Sequence, residues 1–227
     1  MIGQSAGKSL GYLLGVYLGD GHIRADGLFS MSSIDEDFIA AVKTAGRDIG
    51  VEIRSVGPNQ DKRYPKSKPY YNAYGVGDRS AWLEMLAQTQ CKQVIPSWVT
   101  DGCAEVKKSF IAGLMDSEGF VAKRNETRWT ETNRNYHMGY KSCDVFIPEF
   151  IKIMESVGIR IGQVSQEKPR KEGYKVPTRF TIKMQSWVDS GCKFNIARKQ
   201  SRVDEWASSP AYVNRARNPR LTPETIR

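Results

Sequence analysis

The 227 residues carry a formal net charge of +9, with 40% hydrophobic residues and a mean hydropathy of −0.50. That length suits one large domain or two small lobes. It holds no apolar stretch near the roughly 20 residues that cross a bilayer, and Met1–Ser9 lacks the layout of a secretory signal. The charge points to a polyanionic partner, nucleic acid being the usual one. Four cysteines, Cys91, Cys103, Cys143 and Cys192, form no CxxC pair, and only His22 and His137 could add imidazole. A structural zinc site is therefore not expected. Free, mostly buried thiols in an intracellular, reducing compartment are.

In chain order, residues 9–21 form an apolar segment of helical length with Gly11, Gly15 and Gly19 every fourth position, on one helical face. Strands are expected at 22–25 and 28–32 around an Asp26-Gly27 turn. A helix follows, with Asp35 as N-cap and Gly50 as its stop. Two more strands, at 51–56 and 70–76, flank a polar loop, and a short helix covers 79–86.

Then the order starts again. Residues 107–119 repeat the first segment with Gly21 on Gly119, 98 residues on. Ser109, Gly113 and Ser117 fall on Gly11, Gly15 and Gly19, and Glu118 falls on Asp20. Strands at 120–123 and 136–142, a helix at 148–157 stopped by Gly158, strands at 160–165 and 178–184, a short helix from Trp187 and a last helix at 196–206 follow. The pattern is α+β, with two αββαββα lobes related by a pseudo-twofold. The expected division is 1–102, 103–207 and a basic tail at 208–227 with four arginines.

Each glycine inside a helix costs roughly 1 kcal/mol against alanine. A matched stripe of small residues therefore predicts close packing of the two repeated helices on each other, through Gly11, Gly15, Ser109 and Gly113.

The segments Leu13–Gly21 and Ile111–Gly119 both resemble the LAGLIDADG motif. Two copies, each followed by strands, resemble the single-chain homing endonucleases over most of the chain. The resemblance implies that each lobe curves a four-stranded antiparallel sheet over DNA as a saddle, with the motif helices at the lobe interface. It implies a monomeric, site-specific endonuclease that makes a staggered double-strand break with 3′ overhangs in a long asymmetric target. Asp20 and Glu118 would be the catalytic, metal-binding acids, aided by the carbonyls of Gly19 and Ser117. The metal would be Mg²⁺, with Mn²⁺ able to substitute and no organic cofactor. Hard divalent ions take oxygen ligands and can activate water. Acids at a helix C-terminus also oppose the helix dipole, which calls for a reason.

The family further places a basic residue late in each lobe. The matched pairs Cys91-Lys92 and Cys192-Lys193 supply Lys92 and Lys193, with Gln93 as a competing candidate. Asp116 fills an earlier acidic position of the motif, where a capping or interface role is expected rather than chemistry.

Contacts to double-stranded DNA are expected from outward strand residues. In the first lobe these are Arg24, Ser30, Ser32, Tyr70, Asn72 and Tyr74. In the second they are Lys123, Arg128, Thr130, Asn135, His137, Lys141, Gln163, Ser165, Thr178, Arg179, Thr181 and Lys183. Arg and Lys suit guanine, and Asn and Gln suit adenine. Loop bases, among them Arg63, Lys66, Arg170, Lys171 and Lys175, suit phosphates. The alternatives are a maturase with intron RNA as partner and a non-cleaving DNA-binding regulator on the same fold. Intact Asp20 and Glu118 favour cleavage, and no membrane partner is expected.

Overall fold

The computed structural model describes residues 4–123, 136–167, 173 and 175–209. The basic tail beyond Ser209 and the expected DNA contacts Arg128, Thr130, Asn135, Arg170 and Lys171 lie outside the described residues.

The first half runs α1 (Gln4–Leu18), β1 (His22–Ile23), β2 (Phe29–Ser33), α2 (Glu36–Asp48), β3 (Glu52–Asn59), β4 (Tyr70–Val76), α3 (Ser80–Gln88) and α4 (Ser97–Thr100). The second half runs α5 (Ala104–Ser117), β5 (Gly119–Lys123), β6 (Tyr136–Ser142), α6 (Ile147–Ser156), β7 (Ile161–Gln166), β8 (Thr178–Ile182), α7 (Met184–Asp189) and α8 (Ala197–Ala207). Each half holds a four-stranded antiparallel sheet, in order β1-β2-β4-β3 and β5-β6-β8-β7. The α+β class is as the sequence predicts, and each half follows the αββαββα order with one further helix, α4 or α8, at its end.

Alternation along the strands sends one face of each sheet inward. Phe29, Met31, Ile53 and Ala73 are buried in the first lobe, and Val121, Met138, Tyr140, Phe180 and Ile182 in the second. Each lobe buries a tryptophan against a different partner: Trp82 stacks on Phe29 of β2 at 4.3 Å, and Trp187 stacks on Phe194, between α7 and α8, at 4.9 Å.

α1 and α5 pack along their length. A Cβ at Gly15 would lie 2.7 Å from the backbone nitrogen of Leu114 and closer still to the Phe110 carbonyl. One at Gly113 would meet Val16 N at 3.0 Å and strike the Tyr12 carbonyl. Gly11 abuts the Val106 carbonyl, and Gly19 abuts Ser117. Ser109 also lies beside α1, but at a cavity and not in tight backbone contact. It lies half-buried on the wall of a cavity it shares with Ser9, Tyr12 and Lys193.

Asp35 precedes α2 as expected, yet its carboxylate makes no cap hydrogen bond. It accepts instead from Arg198 on α8, at 2.6 and 2.7 Å. The Ala197 backbone N–H donates to Asp37. The start of α8 is thus fastened to the lobe to which it does not belong in sequence. The four cysteines are free, but Cys91, Cys103 and Cys143 are exposed and only Cys192 is buried, against the expectation of mostly buried thiols.

Candidate active site and DNA-facing surface

The close packing of α1 on α5 delivers their C-terminal ends side by side, with Gly19 against Ser117. Asp20 follows the first end and Glu118 the second. Burial raises the pKa of both acids; Lys199 and Lys92 oppose this at Asp20, while at Glu118 the charges of Asp20 and Asp144 add to it.

Each helix end receives a lysine. The Lys92 ammonium donates to the Gly19 carbonyl at 2.9 Å and lies 5.1 Å from the Tyr17 ring centre. It is delivered by a left-handed turn in which Gln90, Cys91 and Lys92 have φ of 46°, 56° and 69°. Three consecutive non-glycine residues in that region are costly, and such strain clusters at functional sites. Gln93 is exposed, with its backbone N–H bonded to the Thr89 carbonyl. Of the two residues it is Lys92 that reaches the helix end.

The second lysine is Lys199, not Lys193. Lys193 is exposed on the wall of a cavity of about 500 Å³ with Lys8, Ser9, Asp48 and Lys108. The Cys-Lys pair repeats in sequence, but the turns around the two copies differ. Lys199 is 4% exposed and donates to the carbonyls of Met115 and Asp116 at 3.0 and 2.5 Å. Burial, opposed by Asp116, pulls its pKa down to about 8. The sequence carried a cue: Lys199, Val203 and Trp206 share the buried stripe of α8, and a lone lysine on an apolar stripe needs a partner.

Asp116 is a structural hub. It accepts from the Tyr12 hydroxyl at 3.0 Å, and from the Asn195 backbone and side chain at 3.1 and 3.0 Å. It thereby joins both motif helices to the start of α8. Asp144 is a further acid that sequence reasoning passed over. It accepts from Ser142 and Tyr140, and its charge is felt by Lys92 and Glu118.

The outward faces of the sheets continue from this centre. In the first lobe one row runs His22, Ser30, Tyr74, Arg54, and the next runs Ser32, Asn72, Val56. Asp20 shares a cavity with His22, Ser30, Ser32, Asn72 and Tyr74. In the second lobe the first row holds Phe120, Gly139 and Thr181, with the Gln163 N–H bonded to the Thr181 hydroxyl at 2.9 Å. A second row holds Lys141, Arg179 and Ser165, and His137 shares this face. His22, Arg54, Val56 and Phe120 join the surface beyond those expected.

Some expected contacts sit elsewhere. Lys123 pairs with Tyr136 in the register of the core-facing residues and donates to Glu205 of α8 at 2.8 Å, tying β5 to that helix. Thr178 shares the parity of Phe180 and Ile182, so it belongs to the inner side, at the start of β8. Tyr70 pairs with Asn59 past a bulge, at the far end of the outer face. Lys183 follows β8 with the parity of Thr181 and is exposed. Arg24 and Arg63 are exposed but ion-paired with Asp26 and Asp61. Lys66 and Lys175 are exposed in connecting loops.

Among the described residues no three His, Cys, Asp or Glu side chains converge as a metal site. The two carboxylates with nearby main-chain carbonyls are nonetheless an oxygen donor set of the kind magnesium takes, with water and substrate phosphate filling the rest of its shell. Lys92 already engages the Gly19 carbonyl, so an ion there would compete with the ammonium for that oxygen.

Residues 94–204 match the family model described as homing endonuclease. A curated relative, the homothallic switching endonuclease of Saccharomyces cerevisiae, is 24% identical over 198 residues; the match covers 77% of this chain, which spans about a third (32%) of that relative. Among solved structures, mesophilic variants of the homing endonuclease I-DmoI superpose with TM-score 0.52 at 11% identity, covering 86% of this chain and 98% of theirs. I-DmoI in complex with DNA and Ca gives 0.52 at 12% identity, covering 82% and 88%. Full-length DUF199/WhiA from Thermatoga maritima gives 0.56 at 14% identity, covering 95% and 66%. At these identities the structural likeness speaks for the fold alone. With its two motif helices and a family-model match over just under half of its length, the chain shares the LAGLIDADG fold and is similar to the homing endonucleases.

Proposed function

We infer that this protein is a site-specific endonuclease that hydrolyses both strands of a DNA duplex across its lobe interface, as a monomer and with a divalent ion, Mg²⁺ being our choice. The observation that carries the reading is the juxtaposition of Asp20 and Glu118 at the touching ends of α1 and α5, each end held by its own lysine. Both the I-DmoI complex with DNA and Ca and one with Mn are consistent with a divalent ion beside DNA.

A bound divalent ion would polarise the scissile phosphate and lower the pKa of a water. Asp20 and Glu118 would hold it, one for each strand. Lys92 and Lys199 orient the acidic helix ends and place positive charge where a pentavalent phosphate gathers negative charge. The outward sheet rows bind the flanking duplex and fix its register. Catalysis here is positioning and electrostatics: no side chain needs to form a covalent bond to the substrate.

The maturase and regulator readings share the basic surface but have no use for two acids at one seam. The test is incubation of a randomised duplex library with Mg²⁺, beside Asp20→Asn and Glu118→Gln. Discrete cutting by the wild type, absent from either variant while binding persists, is expected. Binding without cutting in Mg²⁺ or Mn²⁺ would move the assignment to one of those alternatives.

A further inference from the structure

The pseudo-twofold makes Arg179 the counterpart of Asn72, each central in the second outward row of its sheet. The chemistry around the two differs. Arg179 has its guanidinium 4.9 Å from the Phe120 ring centre and 3.6 Å from Glu167. Glu167 also accepts from Lys141, the residue paired with Arg179 across β6 and β8. The guanidinium is therefore clamped between an aromatic ring and a carboxylate, with its planar fork pre-oriented. A fork held this way matches the O6 and N7 acceptors of guanine, and fixing it beforehand removes entropy that binding would otherwise cost. Asn72 has no charged neighbour in its row. Its Oδ1 accepts from Ser32 at 2.6 Å, and Val56, 52% exposed, stands beside it. An amide next to an apolar side chain on an otherwise polar face matches an A·T pair: hydrogen bonds for the amide, the thymine methyl for valine.

We propose that the two lobes read opposite base chemistries at equal distance from the cut. Arg179, clamped by Phe120 and Glu167, selects a guanine, while Asn72 with Val56 selects an A·T pair. The target is then chemically asymmetric at positions related by the pseudo-twofold. This rests on the reading of the outward sheet faces as the DNA surface and adds which bases they choose.

The experiment is selection of cleaved duplexes from a randomised library, sequenced for the wild type, Arg179→Ala, Glu167→Gln and Asn72→Ala, with thermal melts to verify folding. In the wild type, guanine is expected at one position by roughly 10- to 100-fold over other bases, and an A·T pair at its mirror position. Arg179→Ala removes the guanidinium, so it flattens the guanine preference and leaves the base preference of the opposite half unchanged. Glu167→Gln weakens the same preference. Asn72→Ala flattens only the A·T position. A guanine preference that survives Arg179→Ala, or one absent from the wild type, overturns the proposal. Should no duplex be cut, the same selection by binding in Ca²⁺ reads the preferences independently. The expected preferences among bound duplexes would sustain this proposal while sinking the nuclease reading, and no duplex binding would overturn both.

Discussion

Lys199 is an ammonium buried under the second motif helix, and its solvation is replaced by two helix-end carbonyls. A lysine held at about 8, against 10.5 for the free side chain, costs the fold roughly 3 kcal/mol at neutral pH. The sign follows from proton counts. Below pH 8 both states are protonated and the cost is present in full. Between 8 and 10.5 the unfolded chain holds more protons, so stability rises with pH there. We expect Lys199→Met to be at least as stable as the wild type at pH 7 and to lack that alkaline rise, measured by urea unfolding at pH 7 and 9.5. The same variant loses cleavage, because positive charge is removed from beside Asp20. A wild type that loses stability over that window relative to Lys199→Met would refute the burial argument. Asp35 shows the same principle at a surface: its carboxylate is worth more to Arg198 across the lobe seam than to its own helix.

The motif helices are the element on which the site depends, since backbone contact at Gly15 and Gly113 sets where Asp20 and Glu118 lie. Gly113→Ala adds one methyl against the Tyr12 carbonyl and forces the helices apart. Overpacking of this kind costs typically 1–3 kcal/mol. We expect a lowered melting temperature by calorimetry and cleavage reduced beyond what the unfolded fraction explains. Gly50→Ala, at a positive φ of 78° but with open space around it, should lose stability while cleaving normally once folded. The elements themselves were legible because local periodicity encodes them. The stripe of small residues, the strand alternation and the glycine stops at Gly50 and Gly158 are each properties of a few consecutive residues. Lys199 was not legible by alignment of the halves, because its helix begins after a connection whose length differs from its counterpart. Lys123 was misread for another local reason. Its strand was recognised, but its face depends on pairing with Tyr136, across residues that the sequence alone does not place in register.

At the scale of the whole molecule, two lobes in one chain share a seam between α1 and α5, and on the function proposed above that seam is the catalytic centre and the outward sheet faces meet DNA, with +9 net charge to draw in a polyanion. Salt dependence measures how many cations meet phosphate. Replacing Lys175, exposed on the loop before β8, with glutamine should flatten the slope of log affinity against log salt by about 1 and weaken all sequences alike. The central claim is that one seam, flanked by Asp20 and Glu118, cuts both strands. Its most direct test is to map both cut ends at nucleotide resolution on the duplex recovered by selection. One cut per strand is expected, offset by a few nucleotides across the minor groove to leave 3′ overhangs, with both cuts centred between the half-sites assigned to the two lobes. Cuts outside that centre, or a single strand cut with the other left intact at long times, would contradict it.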